Sequence, residues 1–138
     1  MNDILEELFK YIRSLGIEAK LMQLSPFTPS ACNPHTRRIA INMNWYNKGE
    51  LPFQVAHEIG HVLNEDDACI LYYSTDVSKS KIEHAANSTA LDLLIPIYFR
   101  DCDFENVNAA NFMSELAIPA RMEEEVRNKL TVYFWGRQ

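Results

Sequence analysis

Two histidines and a glutamate in the stretch "AHEIGH" are the residues of this chain best suited to chemistry. His57 and His61 are four positions apart, and Glu58 directly follows the first of them. Side chains four residues apart lie one turn from each other on the same face of a helix, so both imidazoles can reach one metal ion. Imidazole nitrogen suits Zn²⁺, and a catalytic zinc typically has three protein ligands and one open position. The spacing therefore predicts a zinc site that needs one more ligand.

Glu58 is predicted to be the general base and general acid of this site. Because it follows His57, its side chain is angled towards a water molecule at the open position and not bonded to the metal. There it can take a proton as the water attacks a carbonyl carbon, and later pass it to the leaving amine. This is the pattern of a zinc peptidase. The alternative is a helix whose two histidines only hydrogen-bond at a surface.

Asp67 is the first candidate for the third ligand. It lies six residues after His61, and Asn64 between them is able to adopt the left-handed backbone of a turn. Another interpretation of the same segment is a helix that ends at Asn64 and is followed by solvated acidic residues.

Glu83 is the second candidate. It is four residues before Asn87, so one helix face could supply a carboxylate ligand and a polar group that holds a ligand histidine by its other nitrogen. Ser80 and Glu83 also fit a capping box, in which the glutamate reaches back to the start of its own helix. From these residues alone the choice between Asp67 and Glu83 stays open.

The helices that must position these residues follow from apolar periodicity. An amphipathic helix is predicted over residues 2–15, with Gly16 as its stop, and the "AHEIGH" helix begins at Pro52 and runs to about Leu63. Residues 78–96 form a second strong helix that Pro96 ends. Two short helices over 113–116 and 119–130 come before an apolar tail, residues 131–136.

Strand signals come before the "AHEIGH" helix. Residues 17–24 alternate loosely, and residues 37–45 alternate cleanly, with Ile39 and Ile41 on the face towards a core. The three prolines and the asparagine of residues 25–36 predict a loop between them. Residues 68–75 fit either an edge strand or a short helix.

Composition limits the possible class of protein. The chain has 138 residues, of which 47% are hydrophobic and 23% charged, a balance typical of one globular domain spanning residues 1–138. A net charge of -6 argues against nucleic acid as a direct partner. We expect no signal peptide, because the N-terminus is acidic and amphipathic. No apolar run is long enough to span a membrane, and three scattered cysteines fit a reducing compartment. We expect a cytoplasmic protein without a membrane partner.

The stretch "EHAANSTALDLLIP", residues 83–96, resembles the downstream helix of the ImmA/IrrE family of zinc metallopeptidases. That family pairs HExxH with a helix of the form E-x-x-A-N-x-x-A-x-x-L-L-x-P, and the resemblance covers residues 38–96 well. The positions that match are Ala86, Asn87, Ala90, Leu93, Leu94 and Pro96. Two positions depart from the family pattern. Thr89 stands where the family commonly has phenylalanine, and Ala85 stands where it often has a second acidic residue.

The resemblance implies a small α+β, zincin-like fold with a short sheet, an active-site helix and a following helix that carries the third ligand. It favours Glu83 over Asp67, so the expected zinc ligands are His57, His61 and Glu83. It also implies a protein substrate, typically a helix-turn-helix repressor of a phage or mobile element, whose cleavage relieves repression. The alternative is a metal-stabilised module that binds a repressor without proteolytic turnover.

Two further expectations concern the substrate. A substrate peptide is predicted to add as a strand at a sheet edge near residues 39–44. Tyr46, Tyr72 and Tyr73 are candidate donors to the oxyanion, and packing is the alternative role of each.

Overall fold

The structure is a computed structural model and describes residues 2–64 and 76–136; for Asn2 and residues 76–78 it describes the backbone only. These ranges have an α+β fold of five helices and a three-stranded sheet. The helices are α1 (Asn2–Ser14), α2 (Leu51–Leu63), α3 (Asp76–Tyr98), α4 (Ala109–Glu115) and α5 (Glu123–Trp135). The strands are β1 (Glu18–Met22), β2 (Ala31–Asn33) and β3 (Arg38–Asn42). The undecided segment 68–75 lies outside the described residues.

The sheet has β3 at its centre. β1 pairs with β3 in parallel, with Ala19 opposite Ile39, and β2 pairs with β3 antiparallel, with Cys32 opposite Ile39. Ile39 and Ile41 point into the core, as their alternation predicted. The expectation that residues 39–44 offer a sheet edge to a substrate strand is wrong, because β3 is the central strand. β1 pairs with it over residues 38–42, and β2 pairs with its other side over residues 38–40. In the described part of the chain, β2 is the edge strand on the side of β3 away from β1.

β2 also corrects the prediction that residues 25–36 are entirely loop. The strand is only three residues long and lies between Pro29 and Pro34, so it shows no alternation in the sequence. Its backbone becomes extended because β3 offers hydrogen-bonding partners, which is a contact between distant parts of the chain.

Helix α2 is largely buried and packs closely against α3. Val55, Ile59 and Val62 of α2 have no solvent exposure, and neither have Ala86 and Ala90 of α3. The small alanines let the two backbones approach closely. The face of α2 that carries His57 and His61 is thereby brought next to the first turns of α3.

The prediction that Pro96 ends its helix is wrong, since α3 continues to Tyr98. Proline removes one backbone donor and clashes with the preceding turn, so a helix that continues past it needs compensating contacts. Ile95 and Phe99 on either side are 2% exposed, and Phe99 N donates to Ile95 O at 2.9 Å. Core packing therefore carries the helix past the proline.

The C-terminal helices are longer than predicted. α4 begins at Ala109, and α5 extends through the segment predicted to be an apolar tail. Val126, Leu130 and Phe134 of α5 are buried at helical spacing, and Phe134 contacts Phe99 of α3 with ring centroids 5.9 Å apart. Among the described residues, no helix combines the length and the apolar character needed to cross a membrane.

Candidate metal centre

The two histidines of α2 point to the same place, as their spacing predicts. His61 is 3% exposed, and its Nε2 lies 3.1 Å from Nε2 of His57. The rings are perpendicular, with centroids 4.6 Å apart. Two imidazole nitrogens thus converge at the side of α2 that faces α3.

Glu83 reaches across from α3 to these histidines. Its Oε2 lies 2.8 Å from Nε2 of His57, and its Oε1 lies 3.3 Å from Nε2 of His61. Hydrogen bonds from both histidines hold the pKa of the Glu83 carboxyl well below its usual range. Because α3 begins at Asp76, Ser80 is already inside the helix and the capping-box interpretation of Glu83 does not apply.

Asn87, one turn after Glu83, fixes the orientation of the first histidine. Its Oδ1 accepts a hydrogen bond of 2.6 Å from Nδ1 of His57. If a metal ion replaces the proton that Nε2 donates to Glu83, the proton on Nδ1 leaves Nε2 with the lone pair that a metal ligand needs. Asn87 therefore holds the ring in the tautomer that presents Nε2 to the cluster, the role expected of the partner of a ligand histidine.

The chemistry of the donor set calls for a cation. The ligand atoms of His57, His61 and Glu83 all lie within 4.8 Å of one another. Three atoms that carry lone pairs repel each other at such distances unless a proton or a metal ion lies between them. Two imidazoles and one carboxylate are also the set that catalytic zinc sites use. The residues present fit a zinc ion.

Glu58 lies beside this cluster in a buried position. Burial raises the pKa of its carboxyl above the ordinary value, while a hydrogen bond from the Cys32 thiol and the nearby His57 and His61 act in the opposite direction. A carboxylate with a raised pKa is a stronger proton acceptor near neutral pH. The contact with Cys32 also places β2 next to Glu58.

A cleft of about 470 Å³ opens in front of the cluster. His57, Glu58, Glu83 and Asn87 line it, together with residues from three other parts of the chain. Those additional residues are Pro29, Ser30, Trp45, Glu50, Phe53, Gln54, Ala117, Pro119 and Arg121. The cleft is therefore open to a ligand larger than water.

The rim of the cleft depends on Asn42, a buried asparagine that the alternation of residues 37–45 puts on the face opposite Ile39 and Ile41. Asn42 is 1% exposed, and its Nδ2 donates to Ser25 O at 2.8 Å and to Thr28 O at 2.6 Å. Its Oδ1 accepts from the backbone N–H groups of Leu24 and Asn44, both at 3.0 Å. These bonds tie together the two loops that supply Ser30 and Trp45.

The C-terminal lining residues Ala117, Pro119 and Arg121 were also missed. They come from the turn between α4 and α5, thirty or more positions from Asn87 along the chain. Nothing in their types resembles a metal or catalytic motif. Only the proline, which marks a turn, gave a local signal.

Other predicted site residues lie elsewhere. Tyr46 is 58% exposed, contacts the rings of Phe27 and Trp45, and is not among the residues that line the cleft. Asp67, Tyr72 and Tyr73 lie outside the described residues. Asn64 ends α2 with φ -77°, so it does not adopt the left-handed turn that the Asp67 alternative invoked.

Comparison with known proteins gives one match. The family model of the IrrE N-terminal-like domain, peptidase family M78, matches residues 11–110. The match is wider than the segment that carried the resemblance, and it includes α2, β2, β3 and α3. No curated protein and no solved structure matches the chain significantly.

Proposed function

Because the chain belongs to the M78 peptidase family of IrrE N-terminal-like domains, we propose that it is a zinc-dependent endopeptidase that cleaves a protein substrate. The observation that carries this proposal is the convergence of His57, His61 and Glu83 within 4.8 Å, with Glu58 beside them. A peptidase needs a metal held by three ligands and a base that is not itself a ligand. This donor set and the buried Glu58 supply both.

In this mechanism His57, His61 and Glu83 would hold the zinc ion, which would supply Lewis acidity towards the scissile carbonyl and towards water. Glu58 accepts the proton of the attacking water on its carboxylate. It then returns that proton to the nitrogen of the leaving amine as the C–N bond breaks. Asn87 keeps the ring of His57 in the required tautomer throughout.

The substrate peptide is proposed to lie extended alongside β2. This strand contains Cys32, whose thiol hydrogen-bonds to Glu58, and its outer side carries no partner strand in the described part of the chain. An extended peptide can pair its backbone with such an edge, which aligns a peptide bond without regard to sequence.

The biological substrate that we propose is a helix-turn-helix repressor of a phage or mobile element, cleaved in the cytoplasm to relieve repression. This part rests on the family resemblance alone. The cytoplasmic setting is supported by three cysteines without the spacing of a disulfide framework.

The test compares zinc content with cleavage of a proteome-derived peptide library, read by mass spectrometry. Wild type is expected to hold one zinc ion per chain and to cleave. Glu58→Gln is expected to keep the zinc and lose cleavage by about 10²–10⁴-fold, the usual contribution of a general base. Glu83→Ala is expected to lose zinc, whereas Asp67→Ala is expected to keep it.

Three outcomes would overturn parts of this proposal. Cleavage by Glu58→Gln at the wild-type rate would remove Glu58 from the mechanism. Zinc retained by Glu83→Ala and lost by Asp67→Ala would show that the ligand set is wrong. In a reporter assay of repression, equal relief of repression by Glu58→Gln and wild type without cleavage would assign the alternative role of a repressor-binding module.

A further inference from the structure

The cleft in front of the metal cluster contains one cation that the proposed mechanism does not use. Arg121 is the only lysine or arginine among the described residues that line it. The remaining charged side chains there are the carboxyl groups of Glu50, Glu58 and Glu83. Each of these three already has a partner: Trp45 Nε1 donates to Glu50 at 3.0 Å, Cys32 bonds to Glu58, and the two histidines bond to Glu83.

The Arg121 side chain is exposed and has no intramolecular acceptor within residues 2–64 and 76–136. Three other arginines of these ranges do have a carboxylate partner. Arg38 pairs with Glu18 at 3.2 Å, Arg100 with Glu7 at 3.3 Å and Arg127 with Glu123 at 3.2 Å. The guanidinium of Arg121 is thus available to a ligand in the cleft.

The backbone that carries Arg121 is fixed on both sides. Ile118 and Met122 are 6% and 5% exposed, so each anchors one end of the turn in the core. Ile118 N donates to Met113 O at 2.9 Å, and Met122 N donates to Pro119 O at 3.0 Å. Ala117, with φ 51°, bends the chain into the cleft. A cation on a rigid turn can bind a ligand with less loss of entropy than one on a mobile loop.

This turn lies beyond residue 110, where the match to the family model ends. The metal ligands and the general base lie inside the match. The metal-binding part of the cleft therefore lies within the matched domain, while Arg121 is contributed by a segment outside the match.

We propose that Arg121 is a specificity-determining residue that binds the carboxylate of an Asp or Glu side chain in the substrate peptide, close to the scissile bond. The inference rests on the proposed peptidase function and names the class of peptide it accepts. A guanidinium matches a carboxylate with two parallel N–H···O bonds, which gives orientation as well as affinity. On a chain of net charge -6, an acidic peptide needs such a local cation to bind in the cleft.

The experiment profiles zinc-loaded wild type, Arg121→Gln and Arg13→Gln against quenched fluorescent peptides in which Asp, Glu, Asn and Gln are varied at each position. Arg13 is the matched control, because it too is exposed, has no side-chain acceptor in the described ranges, and does not line the cleft. For the preferred acidic peptide, Arg121→Gln is expected to raise KM about 5- to 20-fold with little change in kcat, the signature of lost binding. Arg13→Gln is expected to match wild type.

Charge reversal gives a second readout that a folding defect would not produce. Arg121→Glu is expected to lose the acidic peptide and to gain the peptide with Lys at the same position. A preference for Asp or Glu that survives in both Arg121 variants would overturn the inference. The inference would also be overturned if amidation of the peptide's C-terminus removed the preference while replacement of its acidic side chain by the neutral amide did not. Arg121 would then bind the terminal carboxylate.

Binding by a non-cleaving variant separates this inference from the proposed function. The same peptides are arrayed on a surface and incubated with zinc-loaded Glu58→Gln, with and without Arg121→Gln. If wild type cleaves no peptide, the proposed function fails, and the array still decides whether Arg121 selects acidic peptides. If wild type cleaves but neither assay depends on residue 121, the specificity inference alone fails.

Discussion

At Gly60, one added methyl group should weaken metal binding strongly while lowering the stability of the fold only modestly. It lies next to His61 on α2 and faces the backbone of α3 at Ala86. An ideal Cβ at Gly60 would lie 2.7 Å from Ala86 O, 3.2 Å from Ala86 Cα and 3.3 Å from Ala86 C. All three atoms are backbone, so no side-chain rotation can relieve the contact.

The size of the required movement follows from these distances. The carbonyl oxygen of Ala86 must retreat by about 0.3 Å to reach 3.0 Å, the shortest distance that real Cβ atoms show, and by about 0.7 Å to reach ordinary contact at 3.4 Å. Glu83 and Asn87 lie on the same stretch of α3 and would move with it. Metal–ligand distances tolerate only about ±0.2 Å, so the cluster is disturbed more than a zinc site accepts.

Two opposing effects act on stability. Overpacking typically costs about 1–3 kcal/mol, whereas replacing glycine by alanine inside a helix contributes about 1 kcal/mol of stability. We therefore expect Gly60→Ala to lower the unfolding free energy of the metal-free protein by no more than about 2 kcal/mol. Zinc affinity should fall by about 10- to 100-fold, the loss usually seen when the support of a ligand is disturbed.

Zinc affinity is measured by competition with a chromophoric chelator, and stability by urea unfolding of the metal-free protein. Gly136→Ala is the control, because a Cβ there would meet its nearest neighbour, Val132 O, at 3.5 Å in a right-handed helical conformation. It is expected to leave zinc affinity unchanged. Wild-type zinc affinity in Gly60→Ala would refute the claim that close backbone approach sets the metal geometry.

Three further predictions test the surroundings of the site. Asn87→Ala is expected to weaken zinc binding about 10- to 100-fold with little loss of stability, because the ring of His57 loses its orienting acceptor; an unchanged affinity by chelator competition would contradict this. Asn42→Ala is expected to cost about 2–4 kcal/mol in urea unfolding, because it leaves buried backbone groups of two loops unsatisfied; a loss below about 1 kcal/mol would show that water replaces the amide. Burial and the hydrogen bond to Glu115 raise the pKa of Tyr98 to about 12, so the contribution of its neutral hydroxyl to folding stability is complete below pH 10 and is lost as the pH rises through 12. An ultraviolet titration should show one tyrosine that ionises at higher pH than the others, and Tyr98→Phe should remove that transition.

The helices and the central chemistry could be predicted from the sequence because both depend on neighbours along the chain. The four-residue spacing of His57 and His61 becomes a shared helix face in any α-helix, whatever packs around it. The same holds for Glu83 and Asn87 on α3, whose start the periodicity placed within two residues. Helix α2 was predicted to within a residue at each end.

The pairing of the strands was decided by tertiary structure. β2 has no pattern of its own, and β3 alternates in a way that fits an edge as well as a centre. Once β1 and β2 bond to opposite sides of β3, the edges of the described sheet are β1 and β2. Hydrogen bonds between distant segments leave no trace in the periodicity of either segment. The predicted docking edge near residues 39–44 was therefore wrong.

The residues of the cleft also divide into those that local sequence predicts and those that only tertiary structure places there. The sequence by itself identified the candidates for metal binding and for proton transfer, because those properties belong to the side chains and their local spacing. Only the tertiary structure brought Cys32 to Glu58, buried Asn42 beneath the rim and set Arg121 in the cleft. Each of these depends on contacts between segments more than ten residues apart, which form when the core packs and have no signature in the segments themselves.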